Sequence, residues 1–90
     1  MEAEVERRLR AEAVHCYQWS NRPGALYAVH DHPYRKILYV ASGSITFTTA
    51  GQHSVEMQAG DRIDLPAGTP HGAVVGKDGV VCWEGQARTG

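Results

Sequence analysis

Three histidines and one lysine are the residues of this chain whose types and spacing suit chemistry. In the stretch Tyr27-Ala28-Val29-His30-Asp31-His32-Pro33-Tyr34-Arg35-Lys36, His30 and His32 are separated by one residue. On a β-strand such a pair shares a face, about 6.6 Å apart along the axis. His71 stands downstream, behind the rigid turn Pro66-Ala67-Gly68-Thr69-Pro70. Neutral imidazoles converging inside an apolar β-structure suit a divalent transition metal, and zinc, iron, nickel and copper all accept such donors. The plainer reading is a set of histidines satisfied by hydrogen bonds around a water-filled pocket. His71 favours the metal, because a surface strand has no use for a third histidine behind its own turn.

The elements that must position these side chains are read from the pattern around them. Residues 2–13 favour a helix: Val5 and Leu9 lie four apart, Glu2, Glu4 and Glu6 come first, and Arg7, Arg8 and Arg10 come after them. That charge order complements the helix dipole. From residue 14 onward the pattern is β, with short runs expected at 14–20, 25–32, 36–41, 44–49, 53–58, 62–65, 72–75 and 80–84, separated by Gly and Pro signals. Many short strands at regular spacing indicate an antiparallel sandwich or barrel. The division is therefore a helix over 1–13 and a β-domain over 14–90. Ala50-Gly51 reads as a tight hairpin that leaves His53 away from the centre, and Ala59-Gly60-Asp61 as a turn whose backbone Asp61 bonds.

Composition limits the function classes. Ninety residues make one domain, with a narrow core that hides about 60–65% of the unfolded surface. A net charge of −1, with both signs interspersed, offers no footprint for nucleic acid or an anionic membrane. No apolar run approaches the ~20 residues that span a bilayer, and the charged amino terminus lacks a signal-peptide core. A soluble, cytoplasmic protein with a small-molecule partner is expected. Cys16 and Cys82 are too few and too far apart for a disulfide framework, and Cys82 reads as a small buried hydrophobe.

The spacing then resembles a known family. Gly24, His30, His32, Lys36 and Gly43 fall at the intervals of the first cupin motif, and Gly60, Pro66, Gly68 and His71 at those of the second. The resemblance implies an all-β cupin jelly-roll barrel with a short N-terminal helix. In that family the first motif ordinarily brings two histidines and a glutamate to a metal, and the second adds a histidine. Position by position this implies His30, His32 and His71 as metal ligands, with Lys36 standing where the glutamate would be and Val75 replacing a frequent asparagine. Three-histidine sites without the acid also occur among cupins, as the resemblance implies.

Lys36 should face the interior with Leu38 and Val40. Three arrangements are open to it: turned toward a carbonyl or acid, leaving a three-histidine metal; beside the metal as an anchor for an anion; or part of a metal-free anion site. Tyr27 and Tyr39 should lie opposite the histidine–lysine face and Asp31 should point away, while Tyr34 is more a packing residue than a hydroxyl donor. Arg35 is read as solvent-facing, Trp19 and Trp83 as packing anchors, and His15 as exposed. Two functions fit these expectations. One is a metal-dependent enzyme acting on a small anionic or oxygenated metabolite, with Lys36 as a catalytic or orienting group. The other is a non-catalytic binding or sensing module. Exposed β faces on so small a barrel make a homodimer the default expectation.

Overall fold

The computed structural model describes residues 1–49 and 53–88. The elements are α1 (Glu2–Glu12), β1 (Ala13–Asn21), β2 (Leu26–His30), β3 (Lys36–Thr49), β4 (His53–Gln58), β5 (Arg62–Leu65) and β6 (His71–Ala87). The six strands form one antiparallel sheet that curls into a jelly roll. Its spine is the antiparallel pairing of β3 with β6, which runs from Lys36↔Gln86 to Thr49↔His71.

Two pairs of runs expected as separate strands are thus joined, 36–41 with 44–49 and 72–75 with 80–84. Gly43 explains the first junction. At φ 75° it bends the chain without ending it, and the register against β6 shifts on either side of it. Gly79, at φ 77°, plays the same part on β6. The bend also exchanges faces: Leu38 and Val40 point inward before it, Ile45 and Phe47 after it, and all four meet Met57, Val75, Val80 and Cys82 in one core. Each half of the ribbon gains its own neighbours. β5 and β1 flank the outer halves of β3 and β6, and β4 and β2 flank the others.

The opposite face of β3 presents Ile37, Tyr39 and Ala41, which pack under Val5 and Leu9 of α1. Val5 and Leu9 lie one turn apart on the helix, so a single thin stripe suffices to cover that face. The helix ends where Ala13 turns extended, and Glu12, its last residue, accepts hydrogen bonds from Tyr39 and Arg62. Ala50 and Gly51, the expected hairpin, lie outside the described residues; β3 and β4 are in register up to Thr49↔His53. Asp61 does bond its turn, accepting from the Gln58 amide at 2.8 Å.

A β-bulge in β1 divides its side chains between the two faces. His15 takes φ 55°, and the register shifts between Val14 and Tyr17. Ala13 and Cys16 therefore both reach the helix-side cluster, while Trp19 and the half-exposed Tyr17 turn to the cavity side, opposite Cys82 and Glu84.

The ribbon's bend sets a graded test. A Cβ at Gly43 would lie 2.0 Å from the Gly79 carbonyl oxygen, whereas Gly24 and Gly68, also at positive φ, have nothing within 4 Å. Gly24→Ala and Gly68→Ala should each cost about 1–2 kcal/mol from backbone strain alone. Gly43→Ala should cost at least about twice that, read by chemical denaturation. Equal losses at the three positions would contradict this account of the bend.

Candidate metal centre

β2 and β6 bring His30 and His71 directly opposite each other at the barrel mouth, as the cross-strand pair His30↔His71. His32 lies two residues past the end of β2. Its backbone is tied to the 66–70 turn by the Gly68 amide, which donates to the His32 carbonyl at 2.8 Å. One turn thus fixes both the third imidazole and the segment that carries the first two. The ring centroids of His30, His32 and His71 stand 4.5–5.4 Å apart, and one nitrogen from each lies within 4.8 Å of the others.

Two carbonyls decide which nitrogens those are. The Nδ1–H of His30 donates to the Ala28 carbonyl at 2.7 Å, and that of His71 to the Thr69 carbonyl at 2.9 Å. A carbonyl only accepts, so the proton resides on Nδ1 and the Nε2 lone pair is left facing the cavity. The Nε2 atoms of His32 and His71 are buried with no hydrogen-bond partner among the described residues. Burial, with the positive charge of Lys36 and the neighbouring imidazoles, holds His32 and His71 below the ordinary histidine pKa, and the bond to Thr69 offsets this only in part at His71. Both are therefore neutral at physiological pH, the state in which imidazole binds a metal. Two nitrogens on one ion at about 2.1 Å stand at most about 4.2 Å apart, so small ring movements bring this set within reach of a single ion. The donor set fits a divalent transition metal.

Lys36 faces the same cavity, as its alternation with Leu38 and Val40 requires, and it is buried. Its ammonium lies 3.1 Å from Oε1 of Glu84 on β6. The same Oε1 accepts from the Trp19 indole N–H at 2.7 Å, and Oε2 accepts from the Tyr17 hydroxyl at 2.6 Å. Burial and the adjoining Glu84 carboxylate both raise the Tyr17 pKa, so its proton stays in place. Of the arrangements open to Lys36 from sequence, the structure has the one in which it turns to an acid.

Glu84, Tyr17 and Trp19 are the pocket residues that sequence reasoning misses. For Glu84 a signal exists: it shares strand parity with Val80 and Cys82, so in an apolar run it has to point inward. Tyr27 is a correction. It lines the cavity instead of facing away, because the β2 register shifts between Tyr27 and His30. Tyr39 does lie on the opposite face, under α1. Arg35 pairs with Asp64, Asp31 is exposed, and the Tyr34 ring lies 5.1 Å from that of His32. Cys82 is fully buried, which pushes its thiol up to about 12. The cavity is about 340 Å³, and Trp19, Tyr27, Ile45, Phe47 and Ala73 supply its apolar lining.

Solved structures share this architecture. The chain superposes on the DMSP lyase DddQ of Ruegeria pomeroyi with a TM-score of 0.74 at 20% identity, covering 87% of this chain and 40% of the lyase. KdgF of a Halomonas species matches with a TM-score of 0.67 at 25% identity, over 82% of this chain and 69% of that one. A cupin-like protein of Thermotoga maritima matches with a TM-score of 0.74 at 23% identity, over 82% and 56% of the two chains. The chain thus spans less than half the length of the lyase. No protein of curated function matches it. Residues 18–83 match the pattern of the Cupin domain, nearly the whole of the barrel just described, and the chain belongs to the cupin family.

Proposed function

We propose that this cupin is a metal-dependent enzyme acting on a small anionic or oxygenated metabolite, with a divalent transition metal held by His30, His32 and His71. The observation that carries this reading is the pair of buried Nε2 atoms on His32 and His71 that have no partner among the described residues, with Nδ1 of His71 already committed to a backbone carbonyl. A buried polar atom without a partner is costly, and a shared ion removes that cost at both residues. A bound ion there supplies Lewis-acid polarisation of an oxygen donor. Three neutral imidazoles leave its charge uncompensated, which favours a substrate whose coordinating oxygen is anionic. The apolar wall from Trp19 to Phe47 receives the rest of such a molecule, and Lys36, engaged by Glu84, orients its polar end. The fold accommodates lyase chemistry, since one structural neighbour is a lyase.

A binding or sensing module is the second reading, and one observation favours it. His30 is exposed, and a centre open to water on that side loses part of the electrostatic advantage that catalysis draws on. Chelator-sensitive turnover of a carboxylate library speaks for the enzyme, and saturable binding without product for the module. We extend the reading to a cytoplasmic homodimer. The free thiols Cys16 and Cys82 accord with a reducing compartment, and exposed Leu26, Val29 and Val74 on β2 and β6 offer apolar surface to a second copy.

Protein purified without a chelating tag should carry about one equivalent of metal per chain, and His30→Ala and His71→Ala should each lower metal affinity at least about tenfold. Unchanged stoichiometry in both variants would remove these residues as ligands. Acid should act on the metal-free protein through the same imidazoles. Above pH 6.5, the ordinary histidine value, His32 and His71 are neutral whether the chain is folded or not. Below it the unfolded chain takes up protons that the folded one resists, so stability should fall as pH drops through the interval below about 6.5. Denaturation midpoints that stay level across that interval would contradict the neutral, desolvated state of these rings.

A further inference from the structure

Two charges lie buried in the cavity wall, and their placement bears on the imidazoles beside them. The side chains of Lys36 and Glu84 are 8% and 5% exposed. Glu84 is fully engaged: Lys36 and Trp19 meet on Oε1, and Tyr17 holds Oε2. Removing one partner of such a pair leaves an uncompensated buried charge that must find another acceptor. Among the described residues, Nε2 of His32 and Nε2 of His71 are the buried side-chain nitrogens without a partner, and the Thr69 bond to Nδ1 leaves the latter a lone pair.

We infer that Glu84 is a positioning residue for the three-histidine centre: its carboxylate holds the Lys36 ammonium against Trp19 and Tyr17, and so keeps that cation off the imidazole nitrogens. Resting on the metal reading above, this assigns to β6 a residue that sets metal affinity without being a ligand. The restraint is electrostatic and directional. Indole and phenol donors fix the carboxylate from the β1 side, the carboxylate fixes the ammonium, and the imidazole nitrogens stay open. Glu84 also supplies the negative charge that makes a cation tolerable next to a site for a second one.

The test is a cycle on Glu84 and Lys36, read by calorimetric titration of the metal-stripped full chain with Zn²⁺. Glu84→Gln keeps an acceptor oxygen for Trp19 and offers an amide N–H that the Tyr17 hydroxyl can accept, but removes the charge that holds the ammonium. It should weaken zinc binding at least about tenfold, as loss of residues behind metal ligands commonly does. Lys36→Met added to it removes the freed cation and should restore affinity to within about threefold of the parent. A purely structural role for Glu84 would not be rescued in this way. Glu84→Gln binding as the parent does, or a double variant as weak as Glu84→Gln, overturns the inference. If Glu84→Gln fails to fold, Glu84→Asp decides: its shorter side chain withdraws the carboxylate from Lys36, so zinc binding should weaken and recover when Lys36→Met is added, and unchanged binding or no recovery overturns the inference.

A second readout needs no metal. In the stripped protein, the ¹⁵N resonances of the His32 and His71 Nε2 atoms should shift in Glu84→Gln, where the ammonium reaches them, and return in the double variant. Resonances that do not move overturn the inference. A parent chain that binds no zinc refutes the proposed function, and these resonances then still decide the role of Glu84.

Discussion

Backbone carbonyls govern the chemistry of this cavity more than any side chain does. Ala28 and Thr69 each accept an Nδ1–H, and in doing so they place lone pairs on the facing nitrogens of His30 and His71. Desolvation then keeps His32 and His71 neutral. Neither effect alone makes a donor set: a buried imidazole with its proton on Nε2 would point a hydrogen at its neighbours, and an exposed one would be protonated in mild acid. At His71 the combination yields a buried acceptor that nothing in the described chain satisfies, and Nε2 of His32 lies buried without a partner beside it.

The rest of the fold is the means of holding that arrangement. Because β3 and β6 bend together near Gly43 and Gly79, the inward faces of both halves meet. That exchange puts Lys36 and Glu84, from one half, and His71, from the other, on the wall of the same cavity. The turn before β6 then closes the geometry, bonding His32 through Gly68 and His71 through Thr69. Helix α1 lies on the far side of β3 and takes no part in the cavity. It covers Ile37, Tyr39 and Ala41, which would otherwise leave that layer half wet.

Much of this is legible in the sequence, and what is not has identifiable causes. A His-x-His pair on a strand and a histidine behind a Pro-Gly turn reveal shared direction directly, because strand parity is strict over two or three residues. Parity also places Lys36 inward with Leu38 and Val40. It fails across bulges. Parity puts Tyr27 on the wrong face because the shift between it and His30 leaves no mark in the residues themselves. The bulge at His15, which aims Tyr17 and Trp19 at Glu84, is equally silent, since histidine is no turn signal. Glycines 43 and 79 look like strand ends, and only the partner strand shows them to be bends. Glu84 is hidden differently: nothing near it in sequence announces that Lys36, forty-eight positions earlier, is its counter-ion.

These relationships converge on one claim, that the three imidazoles share a single ion. Anomalous diffraction from crystals of protein purified without chelators, collected above the absorption edges of zinc, copper, nickel and iron, tests it most directly. The account predicts one strong peak within bonding distance of Nε2 of His30, His32 and His71. A peak that touches fewer than three of these nitrogens, or only ordered water among them in crystals grown with added metal, would contradict it.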